Sequence, residues 1–184
     1  MTIFKSTPSI PYMVNVNGSP QEIWHSRSVA VVGVIIAELD GEKYVLIGQR
    51  GAGSPDCRGD WNVPCGYLDW DETGPEAFLR EIFEETGVDL RDIPKSKIDG
   101  VSEIPTSTIH MTRPFYVNTN PKEPSQNVSL SYGMSFYCYS LPKLTTENSE
   151  PNEVADVRWV KIKDLGLFKF AFNHDIRIKM FLNL

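Results

Sequence analysis

The segment from Thr73 to Gly87 predicts a helix whose two ends are both set by its own residues. Thr73 and Glu76, three residues apart, form the pattern of a capping box, in which side chains bond the free backbone N–H groups of the first turn. Pro75 suits that turn because its missing N–H needs no partner there, and Gly87 suits the left-handed residue that ends a helix. A helix with fixed ends and an apolar face must pack on a core, so this segment anchors the predicted fold.

Three carboxylates lie on one face of this predicted helix. Glu81, Glu84 and Glu85 stand at positions i, i+3 and i+4, where like charges destabilise a helix by roughly 0.2–0.5 kcal/mol per pair. Arg80 offsets only part of this repulsion. A divalent cation is the obvious partner, because Mg²⁺ or Mn²⁺ prefers oxygen ligands and keeps positions open for water and phosphate. The alternative is an acidic amphipathic helix with a solvated face.

The other face of the helix carries Leu79, Ile82 and Phe83, which we expect to form its core side. Residues 28–38 are a nearly continuous run of β-branched residues, typical of a strand that is buried on both faces. Residues 44–49 follow a turn and are expected to pair with that strand as a hairpin. Together these segments predict a buried sheet with the helix packed on it.

The chain is expected to divide near residue 28. Residues 1–27 contain several prolines and predict an N-terminal arm packed on the domain, with a short strand near residues 12–16. Residues 28–184 are long enough for one domain with its own core. Further elements are expected in this order: strands at 98–104, 112–118 and 128–140, a strand after Glu153, and a closing helix capped by Asn173.

The spacing of residues around the helix resembles the signature of the Nudix hydrolase family. Gly66 is followed after five residues by Glu72, and after seven more by Arg80 and the run ending at Val88, which matches the signature at every defined position. A solvated acidic helix would not explain Gly66, Glu72 and Arg80 at these offsets. The resemblance implies an α/β (α+β) fold, an α/β/α sandwich with a mixed β-sheet between helices. One departure is Cys65, where the family usually has a second glycine.

The resemblance also implies roles for the acidic residues. Glu81, Glu84 and Glu85 are expected to bind Mg²⁺ or Mn²⁺, with the Gly66 carbonyl as a further ligand. The general base is expected either within the signature, as Glu84, or in a later loop, where Glu153 is the first candidate. The alternative role of Glu153 is that of an ordinary loop glutamate.

Arg80 is expected to support catalysis, because a bidentate ion pair from its guanidinium would orient one of the glutamates. Candidates for substrate binding come from the segments on either side of the expected metal site. Arg50 and Arg58 are candidates for contacts with phosphates, and Tyr67 and Trp70 for stacking on a base. Each of the four has an ordinary alternative as a solvated or packing residue.

The reaction implied by the resemblance is hydrolysis of a phosphoanhydride bond in a nucleoside diphosphate linked to another group. ADP-ribose or another nucleoside diphosphate sugar is the first hypothesis for the substrate. Nucleoside triphosphates and dinucleoside polyphosphates are the alternatives. A non-catalytic module that senses a nucleotide is a third hypothesis, which the intact set of glutamates disfavours.

The charge and cysteine content limit the partners and the compartment. A net charge of −6 argues against non-specific nucleic-acid binding, so a small-molecule substrate is expected, and a homodimer is left open. Three cysteines at scattered spacings form neither a disulfide framework nor a zinc site. No apolar leader or membrane-spanning run is evident, and we therefore expect a cytoplasmic protein without membrane contact.

Overall fold

The computed structural model describes residues 11–24, 27–91, 109–122 and 127–183. Within these ranges the strands are β1 (Pro11–Val16), β2 (Ser19–Trp24), β3 (Val29–Leu39), β4 (Glu42–Arg50), β5 (Trp61–Asn62), β6 (Cys65–Tyr67), β7 (Tyr116–Asn118), β8 (Val128–Tyr137) and β9 (Val154–Lys161). The helices are α1 (Gly74–Thr86), α2 (Ile109–Thr112) and α3 (His174–Leu182), with 3₁₀ segments at Ile162–Leu167 and Ala171–Asn173. No helix in these ranges combines the length and apolar character needed to cross a membrane.

Strand β3 is the centre of a mixed sheet in the order β5-β4-β3-β8-β7. It runs parallel to β8 and antiparallel to β4, while β9 pairs with the far edge of β4. The pairing with β4 covers only the carboxyl-terminal half of β3, and β6 pairs with the other half, where Gly66 lies opposite Val31. The segment that leads into α1 is therefore fixed to the central strand.

Helices cover both faces of this sheet. On one face, α1 contributes Phe78 and Ile82 to a buried apolar cluster. On the other face, α3 contributes Ile178 and Phe181 to a second cluster. Successive residues of β3 alternate between the two clusters, as they must in a strand that is covered on both sides. The expected α/β/α sandwich with a mixed β-sheet between helices is confirmed.

The ends of α1 are those that the sequence predicts. The Thr73 backbone N–H donates to the Glu76 carboxylate at 2.7 Å, and Pro75 lies in the first turn. Gly87 has a φ of 75°, and its N–H donates to the Phe83 carbonyl at 2.8 Å. This left-handed conformation suits glycine, which has no Cβ to clash.

The predicted core face of α1 is partly wrong. Phe83 is 39% exposed, whereas Phe78, Ile82 and Glu85 are buried. These three lie at i, i+4 and i+7, so they share one face of the helix. The helix is thus rotated toward its acidic side, and half-buried Leu79 packs only at the margin of the core. The carboxylate face is not a solvated face.

Other elements agree with the expectations to different degrees. The hairpin of β3 and β4 is confirmed, and the predicted strand at residues 12–16 is β1, which forms a two-stranded sheet with β2 in the described part of the chain. The expected strand at 112–118 is wrong in its first half, because α2 extends to Thr112. The expected strand at 98–104 lies outside the described residues. Asn173 does precede α3, but its side chain makes no capping bond.

Candidate active site

A cleft of about 440 Å³ opens where β6, the amino-terminal half of β3 and the start of α3 meet. It gathers residues that are far apart in the sequence, because β6 and the loop before β9 both approach the same end of the sheet. Of the residues predicted for the site, the cleft is lined by Arg50, Gly66, Tyr67, Arg80, Glu81, Glu84 and Glu153.

Arg80 connects the acidic residues on this side of the cleft. Its Nε and Nη2 donate to the two carboxylate oxygens of Glu72 at 2.9 and 2.6 Å, in a bidentate pair. Its Nη1 donates to Glu81 at 2.7 Å and to Glu84 at 3.0 Å, and Nη2 also donates to the Tyr67 carbonyl at 3.0 Å. The predicted orienting role therefore has a geometric basis, with Glu72 as the bidentate partner. The hydrogen bond from Arg80 lowers the pKa of Glu72.

Glu81 and Glu85 are held in a poorly solvated place. Burial raises the pKa of Glu81 to about 7, although Arg80 opposes that shift. Burial, and then the charge of Glu81, raise the pKa of Glu85 well above its usual range. One Glu85 oxygen accepts the Cys65 N–H at 3.3 Å, and the other is buried with no hydrogen-bond partner among the described residues. Such an oxygen is costly to bury unless a cation satisfies it.

Gly66 is required by the close approach of Glu81. A Cβ at position 66 would collide with the Glu81 carboxylate, so a larger residue would displace the side chain or strand β6. This gives a physical reason for the glycine that the sequence pattern identifies. It also leaves the backbone of β6 open toward the acidic residues.

The donor set fits a hard divalent cation. The described residues hold no group of three acidic, histidine or cysteine side chains already placed to bind a metal ion, and Arg80 donates hydrogen bonds to Glu81 and Glu84. Even so, carboxylate oxygens are the ligands that Mg²⁺ and Mn²⁺ prefer, and the orphaned oxygen of Glu85 lacks a positive partner.

Glu153 faces these carboxylates from the loop before β9. It is half-buried, and burial followed by the charge of Glu150 raises its pKa above the usual range. Its charge also contributes to the raised pKa values of Glu81 and Glu85, which places it in the same electrostatic group. A backbone hydrogen bond fixes the loop that carries Glu153, since the Gly51 N–H donates to the Glu153 carbonyl at 2.6 Å.

The candidates for substrate binding separate into two groups. Arg50 lines the cleft, where its Nη2 donates to Asp56 at 2.7 Å, and Tyr67 lines the cleft with its hydroxyl accepting from Asn127 at 3.2 Å. Arg58 and Trp70 do not line it. Arg58 donates to the Ser54 carbonyl at 2.6 Å, and Trp70 is 97% exposed.

Three residues near the start of α3 also line the cleft and were not predicted: Phe172, His174 and Arg177. Phe172 has a φ of 55°, rare for a bulky residue, and its ring lies 4.8 Å from the guanidinium carbon of Arg50. His174 Nδ1 accepts the Val63 N–H at 3.3 Å, and burial lowers its pKa to about 3. The sequence carries no local signal for these positions, since their role depends on how α3 packs on the sheet.

Cys65, the departure from the usual signature, is half-buried and lines the cleft. Asn62 Nδ2 donates to its sulfur at 3.3 Å, and burial raises the pKa of the thiol. A thiol that stays protonated is a poor nucleophile, so the chemistry of this site rests on its carboxylates.

Comparison with known sequences supports one family. The family model described as NUDIX domain matches residues 27–181. An RNA pyrophosphohydrolase from Gluconacetobacter diazotrophicus is 37% identical over 83 residues, which cover 42% of this chain and 48% of that protein. The chain therefore matches about half the length of this curated relative.

Solved structures share the fold at low sequence identity. The NUDIX domain of Shewanella oneidensis NrtR, complexed with ADP ribose, is 22% identical, with a TM-score of 0.59 and coverage of 86% of this chain and 88% of the other. A bifunctional NMN adenylyltransferase/ADP ribose pyrophosphatase from Francisella tularensis, complexed with AMP and a Mn ion, is 22% identical, with a TM-score of 0.58 and coverage of 86% and 42%. An Ap4A hydrolase from C. elegans is 16% identical, with a TM-score of 0.55 and coverage of 85% and 96%.

Proposed function

This chain belongs to the NUDIX domain family, and from that premise we propose that it is a metal-dependent hydrolase of phosphoanhydride bonds. Its substrate would be a nucleoside diphosphate linked to another group. The observation that carries the proposal is the buried oxygen of Glu85, which has no hydrogen-bond partner among the described residues and belongs to the same helix face as Glu81 and Glu84. A buried carboxylate oxygen without a partner is costly, and a cation bound by these glutamates would remove that cost.

Glu81, Glu84 and Glu85 would hold the cation, with the Gly66 carbonyl as the proposed backbone ligand. A bound Mg²⁺ or Mn²⁺ would neutralise charge on the phosphates and make water a better nucleophile near neutral pH. Arg80 would keep Glu81 and Glu84 oriented, through the contacts it already makes.

Glu153 is the first candidate for the general base, and Glu84 is the alternative. Glu153 would accept the proton of the attacking water from the loop side of the cleft. Its raised pKa supports this role, because a carboxylate closer to neutral is a stronger proton acceptor than an ordinary one. The second proton acceptor to be tested is Glu84, which is bound to Arg80 and is therefore less free to move.

ADP-ribose or another nucleoside diphosphate sugar is the proposed substrate. A cleft of about 440 Å³ is within the usual range of small-ligand pockets. Arg50 and Tyr67 would form its walls, and Phe172 offers an aromatic surface that is 42% exposed. A structural relative binds ADP ribose, which supports this order of preference. Arg58 and Trp70, outside the lining, would act only if their loops moved toward the substrate.

Nucleoside triphosphates and dinucleoside polyphosphates are the second candidate class. Similarity to an RNA pyrophosphohydrolase and to an Ap4A hydrolase supports keeping them in any assay. A non-catalytic nucleotide sensor is the third. The persistence of every acidic residue of the signature disfavours it.

A panel of nucleoside diphosphate derivatives, triphosphates and dinucleoside polyphosphates, each with Mg²⁺ and with Mn²⁺, tests the proposal. Product masses identify the bond that is cleaved. We expect Glu85→Gln to abolish turnover without changing the circular dichroism spectrum. The matched control is Glu147→Gln, at an exposed loop position, which should retain both turnover and the spectrum. An active Glu85→Gln protein, or full turnover in excess chelator, would refute the mechanism.

A further inference from the structure

Arg177 is a buried cation that faces the cleft from α3. Its side chain lines the cleft although the residue is only 9% exposed. Its guanidinium carbon lies 4.1 Å from the centre of the Tyr116 ring, a short distance for a cation–π contact. The contact holds the guanidinium against the ring at the wall of the cleft.

No acidic side chain among the described residues forms an ion pair with Arg177. The other two arginines of the cleft differ in this respect, since Arg50 pairs with Asp56, and Arg80 is engaged by several carboxylates. The nearest acidic residue in the sequence, Asp175, pairs instead with Lys179 at 2.8 Å. The positive charge of Arg177 also acts on its neighbour, since it helps to lower the pKa of His174.

A buried arginine without an anion is unfavourable, because its lost hydration is not replaced. The cation–π contact compensates for only part of that loss. The guanidinium therefore has donors available for an anion that enters the cleft. Its planar fork matches the oxygens of a phosphate, with which arginine forms bidentate hydrogen bonds.

The position of α3 separates this charge from the carboxylates. The glutamates come from α1 on one face of the sheet, whereas Arg177 comes from the helix on the opposite face. A substrate in the cleft would thus meet an acidic, cation-binding side and a separate basic side. We propose that Arg177, held on Tyr116, forms a phosphate-binding subsite that holds the substrate in the cleft. This deepens the proposed function and rests on it for the identity of the substrate.

Binding of inorganic phosphate in excess chelator tests the subsite without metal, substrate or turnover. The measurement is a phosphate titration followed by the ¹⁵N–¹H signals of the arginine side chains. We expect Arg177→Gln to weaken phosphate binding by about tenfold to a hundredfold, the range for hydrogen bonds to charged groups. Arg177→Lys keeps the charge but lacks the planar fork, and it should recover only part of the affinity.

Arg158→Gln is the matched control. Arg158 also stacks on a ring, with its guanidinium carbon 5.1 Å from Trp61, but it pairs with Asp156 and does not line the cleft. It should leave phosphate affinity unchanged. Tyr116→Phe should likewise keep the affinity because it preserves the ring, whereas Tyr116→Leu should reduce it.

Steady-state kinetics give the second readout, on whichever compound of the panel is turned over. Arg177→Gln should raise KM by about tenfold or more, with a smaller change in kcat, because a subsite for binding acts before the chemical step. Unchanged phosphate affinity in both Arg177 variants would overturn the subsite. Lost phosphate affinity in a protein that hydrolyses no compound of the panel would retain the subsite and refute the proposed function instead. If Arg177→Gln alters the circular dichroism spectrum, Arg177→Lys takes its place in both the phosphate titration and the kinetic assay.

Discussion

Replacing Glu81 with glutamine should stabilise the cation-free protein while it abolishes activity. Glu81 is 8% exposed, and burial raises the pKa of its carboxyl from 4.5 to about 7. A group whose pKa is raised by folding adds stability at low pH and loses it as pH rises through the folded value. Near pH 8 the fold must therefore hold an ionised carboxylate that it disfavours.

The size of this effect follows from the raised pKa. A shift from 4.5 to about 7 corresponds to roughly 3 kcal/mol at about 1.4 kcal/mol per pKa unit. Glutamine has the shape of the protonated carboxyl, and it avoids that loss at every pH. Near pH 5 the native Glu81 is mostly protonated, so the advantage of Glu81→Gln should shrink to about 1 kcal/mol or less.

Urea unfolding followed by tryptophan fluorescence, in chelator at about pH 8 and at about pH 5, measures both values. Glu147→Gln, an exposed replacement of the same type, should change neither. Added Mg²⁺ should stabilise the native protein and have little effect on Glu81→Gln, since ligand binding stabilises only the fold that binds it. A Glu81→Gln protein that is less stable than the native one near pH 8, or equally affected at both pH values, would refute this reasoning.

Three further predictions concern other parts of the site. Folding lowers the pKa of His174 from 6.5 to about 3, so the free energy of unfolding should fall by up to about 1.4 kcal/mol per pH unit as pH drops below about 6.5. In His174→Asn the fall should be less steep, and acid unfolding curves of the two proteins measure the difference. Gly66→Ala should lose activity and about 1–3 kcal/mol of stability, because its Cβ would clash with Glu81. Gly166→Ala, where a Cβ meets nothing within 4 Å among the described residues, should retain activity and stability in the same turnover and urea assays. Glu153→Gln should lower kcat by about a hundredfold or more with KM little changed, and a kcat within about threefold of native would transfer the base to Glu84.

Local patterns were sufficient for much of the fold. The ends of α1 were predictable because capping depends on residues within one turn, and the buried strand β3 was predictable from its own composition. The rotation of α1 about its own axis was not predictable in this way. Spacing placed Glu81, Glu84 and Glu85 on one face, but only packing of Phe78 and Ile82 on the sheet shows that this face turns inward for Glu81 and Glu85.

The sequence by itself therefore determined the elements near the signature and the shared helix face of its acidic residues. The tertiary structure decided which distant residues join them. It brings Glu153, Phe172, His174 and Arg177 to the cleft, and leaves Trp70 in solvent although it stands close to Gly66 in the chain. The physical reason is that burial and long-range contacts depend on sheet pairing and helix packing, which no local spacing encodes.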